Sequence, residues 1–263
     1  MMNILSLYLL VIPSLAISFG IFGSFAIWEK NSFFGHTFSH SLLLPLSIAL
    51  LFGATDNYFI LFSTIIFAIV FVCIFYYLGR KNSTYYSQDT ILVIVSFFCM
   101  ALAFIINSIQ VKKIDVMSYL SGDILLINNL DIAIFYIISA FLILFLLKFN
   151  KILILRSIST DLAISTNKNT DLIYVIFLAM QAIFIAIAAR AIGVLLISAT
   201  LLMPSILARF FSKNPVQMIF LSVIVGFIVM FCGAVLSVII NIQFAPIVIV
   251  LYCIFLFIAC LIK

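Results

Sequence analysis

The chain contains two histidines, and they stand four residues apart, His36 and His40, in the stretch Phe33-Phe34-Gly35-His36-Thr37-Phe38-Ser39-His40-Ser41. On a helix, positions i and i+4 lie on one face, one turn apart. Two imidazoles placed this way can share one divalent transition-metal ion through their neutral ring nitrogens. Two side chains are too few for a closed structural zinc site, which takes four ligands. An incomplete set suits an ion that is accepted partly hydrated and then released. A second copy of the chain, or water, would fill the remaining positions.

These histidines must be positioned by an unusually apolar body. Of 263 residues, 67% are hydrophobic and 8% are charged. A soluble domain carries about 25% charged residues. Apolar runs of membrane-spanning length fall at about 5–27, 37–54, 57–79, 89–110, 130–148, 172–189, 192–209, 216–239 and 244–262. The 37–54 run is short, and 192–209 holds Gly193 and Pro204, where a bend is expected. The expected fold is therefore all-α, a polytopic membrane protein with eight or nine transmembrane helices in a single domain, 1–263. The runs are continuous, without the alternating polarity of a lipid-spanning barrel.

Charge sets an orientation. With the amino terminus outside and nine crossings, Lys30, Arg80, Lys81, Lys148, Lys151, Arg156, Lys168, Arg209, Lys213 and Lys263 fall inside. Lys112, Lys113 and Arg190 fall outside. The excess of basic residues on one side marks it as cytoplasmic. The carboxyl terminus is then cytoplasmic too. Basic residues standing singly or in adjacent pairs at the ends of apolar runs point to the lipid bilayer and not to nucleic acid. Glu29 beside Lys30 reads as a solvated ion pair, and Arg190 as a side chain snorkelling to the interface. The five cysteines form no CxxC pair and read as small core residues.

Two segments between spans carry further candidates. The outer one, 111–129, holds Asp115 and Asp123, either turn formers or carboxylates at an outer gate that attract a cation or contact a delivery protein. The inner one, 149–171, contains Ser159-Thr160-Asp161-Leu162-Ala163-Ile164-Ser165. It reads as a short helix capped by Ser159 or Thr160, with Asp161 in its first turn and Asn167 ending it in the left-handed conformation. A capped helix exposed to the cytoplasm is a docking element for another protein. None of the nine glycines is followed by Lys, so the chain lacks a P-loop, and any ATP hydrolysis belongs to another subunit.

Four stretches together resemble a known family, the membrane permeases of metal-ion ABC importers for zinc, manganese and iron, most closely its zinc-uptake branch. They are the histidine segment, Asp115 to Leu125, Ile158 to Ala163, and Ile192 to Pro204. The resemblance implies the vitamin B12-type (type II) permease architecture and a homodimer with a central path. It implies docking of each copy on a cytoplasmic ABC ATPase through Ser159, Asp161, Leu162 and Ala163. It also implies a periplasmic metal-binding protein that delivers the ion, a bacterial inner-membrane location, and no permanently bound cofactor. In the family an Asp and a His four apart line the path, and these positions correspond to His36 and His40. His in place of Asp leans the substrate toward Zn²⁺ and away from the harder Mn²⁺. Val93 and Phe97 stand where the family has Gly and His, so no third histidine ligand is expected. The alternatives are a manganese or iron(II) permease of the same architecture, a membrane scaffold, and an intramembrane metalloenzyme. The last would need a base that His36-Thr37-Phe38-Ser39-His40 lacks.

Overall fold

A computed structural model describes residues 2–53, 57–81, 87–110, 122 and 129–262. Asp115 and Asp123 lie outside the described residues. Ten helices and no strand occur among the residues described: α1 (Met2–Trp28), α2 (Phe34–Ser41), α3 (Leu43–Leu51), α4 (Asn57–Lys81), α5 (Gln88–Ile109), α6 (Asn129–Ile158), α7 (Thr160–Thr166), α8 (Thr170–Phe211), α9 (Pro215–Ile240) and α10 (Phe244–Ile262). Among the described residues, eight stretches are long and apolar enough to cross a membrane, with α2 and α3 together forming one, Phe34–Leu51. The break between α2 and α3 has a local cause. Pro45 has no N–H to give the Ser41 carbonyl, so the ladder is interrupted one turn earlier.

The 42 residues of α8 would extend about 60 Å if straight, twice a hydrocarbon core of about 30 Å. They do not run straight. Gly193 is non-helical (φ 77°, ψ 156°), a backbone region that glycine enters without a Cβ penalty. On its two sides the chain returns to one level. Gly35 faces both Ile185 and Leu201, which a continuous helix would set about 24 Å apart. Phe22 packs on Phe184, while its neighbour Gly23 lies against the Leu201 backbone. α8 is thus two arms folded back at Gly193. Of the two positions where a bend is expected, Gly193 is where the helix breaks, and the second arm keeps helical dihedrals through Pro204. Gly122 sits on the tip of this fold, where a side chain would collide with the backbone of Ile192 and Gly193.

Both arms pack on α1 at the centre of the molecule. Phe19, Phe22 and Phe25 of α1 engage Phe177 and Phe184 of the first arm edge-on or tilted, the arrangement that ring quadrupoles favour. Serines hold the centre where two backbones approach closely. Ser205 meets the hydroxyls of Ser222 and Ser24, and Ser18 meets Ser139. These side chains lie beside helix backbone, so their hydroxyls find partners within the bundle.

Several sequence expectations are corrected here. Glu29 pairs with Arg156, not with Lys30. Arg190 approaches Asp131 at 4.0 Å. All five cysteines are free, but Cys73, Cys232 and Cys260 face outward and only Cys99 is buried. A span whose partner is hydrocarbon accepts apolar side chains on every face, so an apolar run does not distinguish core from lipid surface.

Candidate functional site

Two faces of α2 are set by its sequence. Phe34 and Phe38, four apart, stack with each other and meet Phe71 of α4, with Phe75 beside Phe34. His36 lies two residues from Phe34, about 200° further round the helix. The phenylalanines therefore anchor α2 in the protein, and the imidazoles turn away from that core. His36 is exposed and His40 half-exposed in the single chain, while Phe34, Gly35, Thr37, Phe38 and Ser39 are buried.

The two rings lie 4.6 Å apart between centroids with planes at 75°. A ring centroid sits about 3 Å from an ion held by its nitrogen, so two rings on one tetrahedral ion stand about 5 Å apart. The observed spacing fits a single shared ion. His36 Nδ1 lies 3.0 Å from the Ser198 hydroxyl of the second α8 arm. In the tautomer that carries its proton on Nδ1, His36 donates to Ser198 Oγ and keeps the Nε2 lone pair for the ion. Among the described residues no group of three or more His, Cys, Asp or Glu assembles a metal site. Ser198 is five residues from the Gly193 turn and thirteen from Phe211, so the pair sits about 8 Å below the turn and about 20 Å above the other end of the arm.

At the opposite end of the bundle is α7. Ser159 is its cap, in extended conformation, with its side chain accepting from the Leu162 N–H at 3.5 Å. Asn167 ends it in an extended conformation (φ −147°), not a left-handed one, and its side-chain oxygen accepts from the Asn169 N–H instead. Ala163 is fully buried, and its carbonyl accepts from the Thr166 and Thr170 hydroxyls and from the Asn167 N–H. It anchors the helix to the body. Asp161 is exposed, Leu162 is 56% exposed and Ile164 is exposed as well.

Between these sites lies a polar cluster that sequence reasoning missed. Arg156, three residues before Ser159, donates through Nη1 to Glu29 Oε2 at 2.5 Å, with the Arg156 side chain buried and that of Glu29 partly buried. The guanidinium carbon lies 3.4 Å from the centre of the Tyr174 ring. The Asn31 amide donates to the Tyr174 hydroxyl. Burial pushes the Glu29 carboxyl above its ordinary value, and Arg156 offsets this only in part. Glu29 and Lys30 are adjacent, so the sequence offered a nearer partner. The one available signal was a carboxylate at the end of an apolar run in a chain with few charges.

The profile of the ABC 3 transport family matches residues 1–263. The chain belongs to that family. This permease is 32% identical over 229 residues to the high-affinity zinc uptake system membrane protein ZnuB of Buchnera aphidicola subsp. Baizongia pistaciae, covering 86% of this chain and 85% of the relative. It is 29% identical over 216 residues to the ZnuB protein of Haemophilus influenzae, covering 82% and 80%. Its fold matches the structure of PsaBC from Streptococcus pneumoniae in complex with Fab at a TM-score of 0.81 and 23% identity, covering 97% of this chain and 90% of that one. The chain is thus an all-α, multi-pass permease of an ABC transporter.

Proposed function

We propose that this permease carries Zn²⁺ into the cell through a path between two copies of the chain, with His36 and His40 of each copy lining it. The observation that carries this reading is the pair of imidazoles at single-ion spacing on the open face of α2. Leu195, one turn from Ser198, is 49% exposed in an arm that is otherwise largely buried. Together these residues form a strip that a second copy would complete. Neutral nitrogen donors suit zinc better than the harder manganese ion, and the ZnuB relatives are named for zinc uptake.

In this reading the folded α8 makes nine crossings, with the amino terminus outside. Gly193 and Gly122 then lie on the outer side, together with Asp131 and Arg190. The 149–171 segment lies inside, where Asp161 and Leu162 of α7 dock on the ATPase subunit. Asp115 and Asp123 stand on the outer side, toward the metal-binding protein that delivers the ion. ATP turnover rocks the two copies and switches access to the histidines. The permease itself makes and breaks no covalent bond.

Purification of the permease with the ATPase it retains, followed by hydrolysis assays in liposomes, tests this reading. Zn²⁺ presented with its binding protein should stimulate hydrolysis more than Mn²⁺ or Fe²⁺. Equal or greater stimulation by Mn²⁺ would overturn the zinc assignment.

A further inference from the structure

We infer that Arg156 is the link that couples the docking helix α7 to the histidine helix α2. This rests on the docking reading of α7. Four elements meet at Arg156. Glu29 follows α1, and Asn31 precedes α2 and lies five residues before His36. Arg156 itself stands near the end of α6, three residues before the α7 cap. Tyr174 lies on the first arm of α8, four residues after Thr170, whose hydroxyl donates to the α7 carbonyl of Ala163. A displacement of α7 therefore reaches Arg156 through its own chain and Tyr174 through Thr170. From there it passes to α2 through Glu29 and the Asn31–Tyr174 bond.

The chemistry of the cluster argues against a merely static anchor. Arg156 is 8% exposed, and a buried ion pair is often no more stabilising than apolar residues of similar volume. The protein's own groups do not complete this network. Glu29 Oε1, Asn31 Oδ1 and Arg156 Nε are buried without a hydrogen-bond partner. Between Glu29 and Asn31, Lys30 holds a left-handed backbone (φ 57°) that closes α1, with the Asn31 N–H donating to the Ala26 carbonyl and the Lys30 N–H to that of Ile27. Unpaired polar atoms that gather at one place are tolerated where a second arrangement is used. Room for that arrangement exists: a cavity of about 250 Å³ is lined by Arg156 and Tyr174 with Thr160 and Ile164 of α7 and Tyr76 of α4.

The test uses the complete transporter in liposomes and reads metal ions moved per ATP hydrolysed. Arg156→Lys keeps the charge but loses the fork and most of the ring stacking. Glu29→Gln keeps the shape and loses the charge. Each should lower the ratio at least about fivefold, the low end of typical coupling energies, while zinc binding to the permease and retention of the ATPase stay at wild-type levels. An unchanged ratio in both variants would overturn the link. If they fail to accumulate, Tyr174→Phe decides: loss of its hydroxyl should lower the ratio, and an unchanged ratio overturns the proposal. Asp161→Ala with Leu162→Ala separates the two readings. Loss of the ATPase from this variant alongside an unchanged ratio in the others defeats the link alone. Retention of the ATPase defeats the docking assignment itself, and with it the route through α7.

Discussion

His36 Nδ1 and the Ser198 hydroxyl meet at 3.0 Å although 162 residues separate them in the chain. This contact ties the only helix that bears histidines to the returning arm of α8. It fixes which ring nitrogen of His36 points into the open strip. Removing the hydroxyl with Ser198→Ala should weaken zinc binding by purified permease about tenfold, the low end for groups that orient a ligand. Ser198→Thr keeps a hydroxyl and should restore most of it. Isothermal titration of the two variants checks this, and equal affinities would remove Ser198 from the site.

The donor set should govern the choice of ion. His36→Asp introduces a hard, anionic oxygen donor beside His40. Competition uptake with Zn²⁺ and Mn²⁺ should shift toward Mn²⁺ in this variant. An unaltered preference would place selectivity elsewhere in the transporter.

The fold of α8 predicts sidedness. With two arms, residues just before and just after the helix lie on one side of the membrane. Lys168→Cys and Lys213→Cys, each in a background with the five native cysteines replaced, should both resist an impermeant thiol reagent added outside cells and both react in inverted vesicles. Labelling of the two from opposite faces would show that α8 crosses once.

The close packing of α1 against that arm predicts a stability effect. A Cβ at Gly23 would run into the Leu201 carbonyl oxygen. Gly23→Ala should therefore destabilise the permease by about 1–3 kcal/mol, as overpacking does, and lower its Tm in detergent. An unchanged Tm would mean that the two backbones separate at little cost.

Much of this arrangement is legible in the amino-acid sequence. A four-residue interval places His36 and His40 on one face whatever the tertiary fold. That Phe34 and Phe38 make the opposite face the packed one emerges only when α4 is laid against it. A cap at Ser159 or Thr160 follows from local hydrogen-bond chemistry alone, and the structure places it at Ser159. What stayed hidden depends on contacts distant in sequence. The run from Thr170 to Phe211 is apolar throughout, so its pattern does not reveal that the chain doubles back at Gly193. Ser198 reads as one more small residue in a spanning segment until α2 is laid against it. Glu29 had Lys30 beside it, and only the packing of α6 on α1 shows that its partner is Arg156.

The central claim is that the two imidazoles are where the travelling ion pauses. Its most direct test is zinc uptake by liposomes that contain the permease, its ATPase and the binding protein, comparing wild type with the double variant His36→Ala, His40→Ala. Zinc uptake should be lost in the double variant while the assembled complex is retained. Uptake at the wild-type rate would contradict the account.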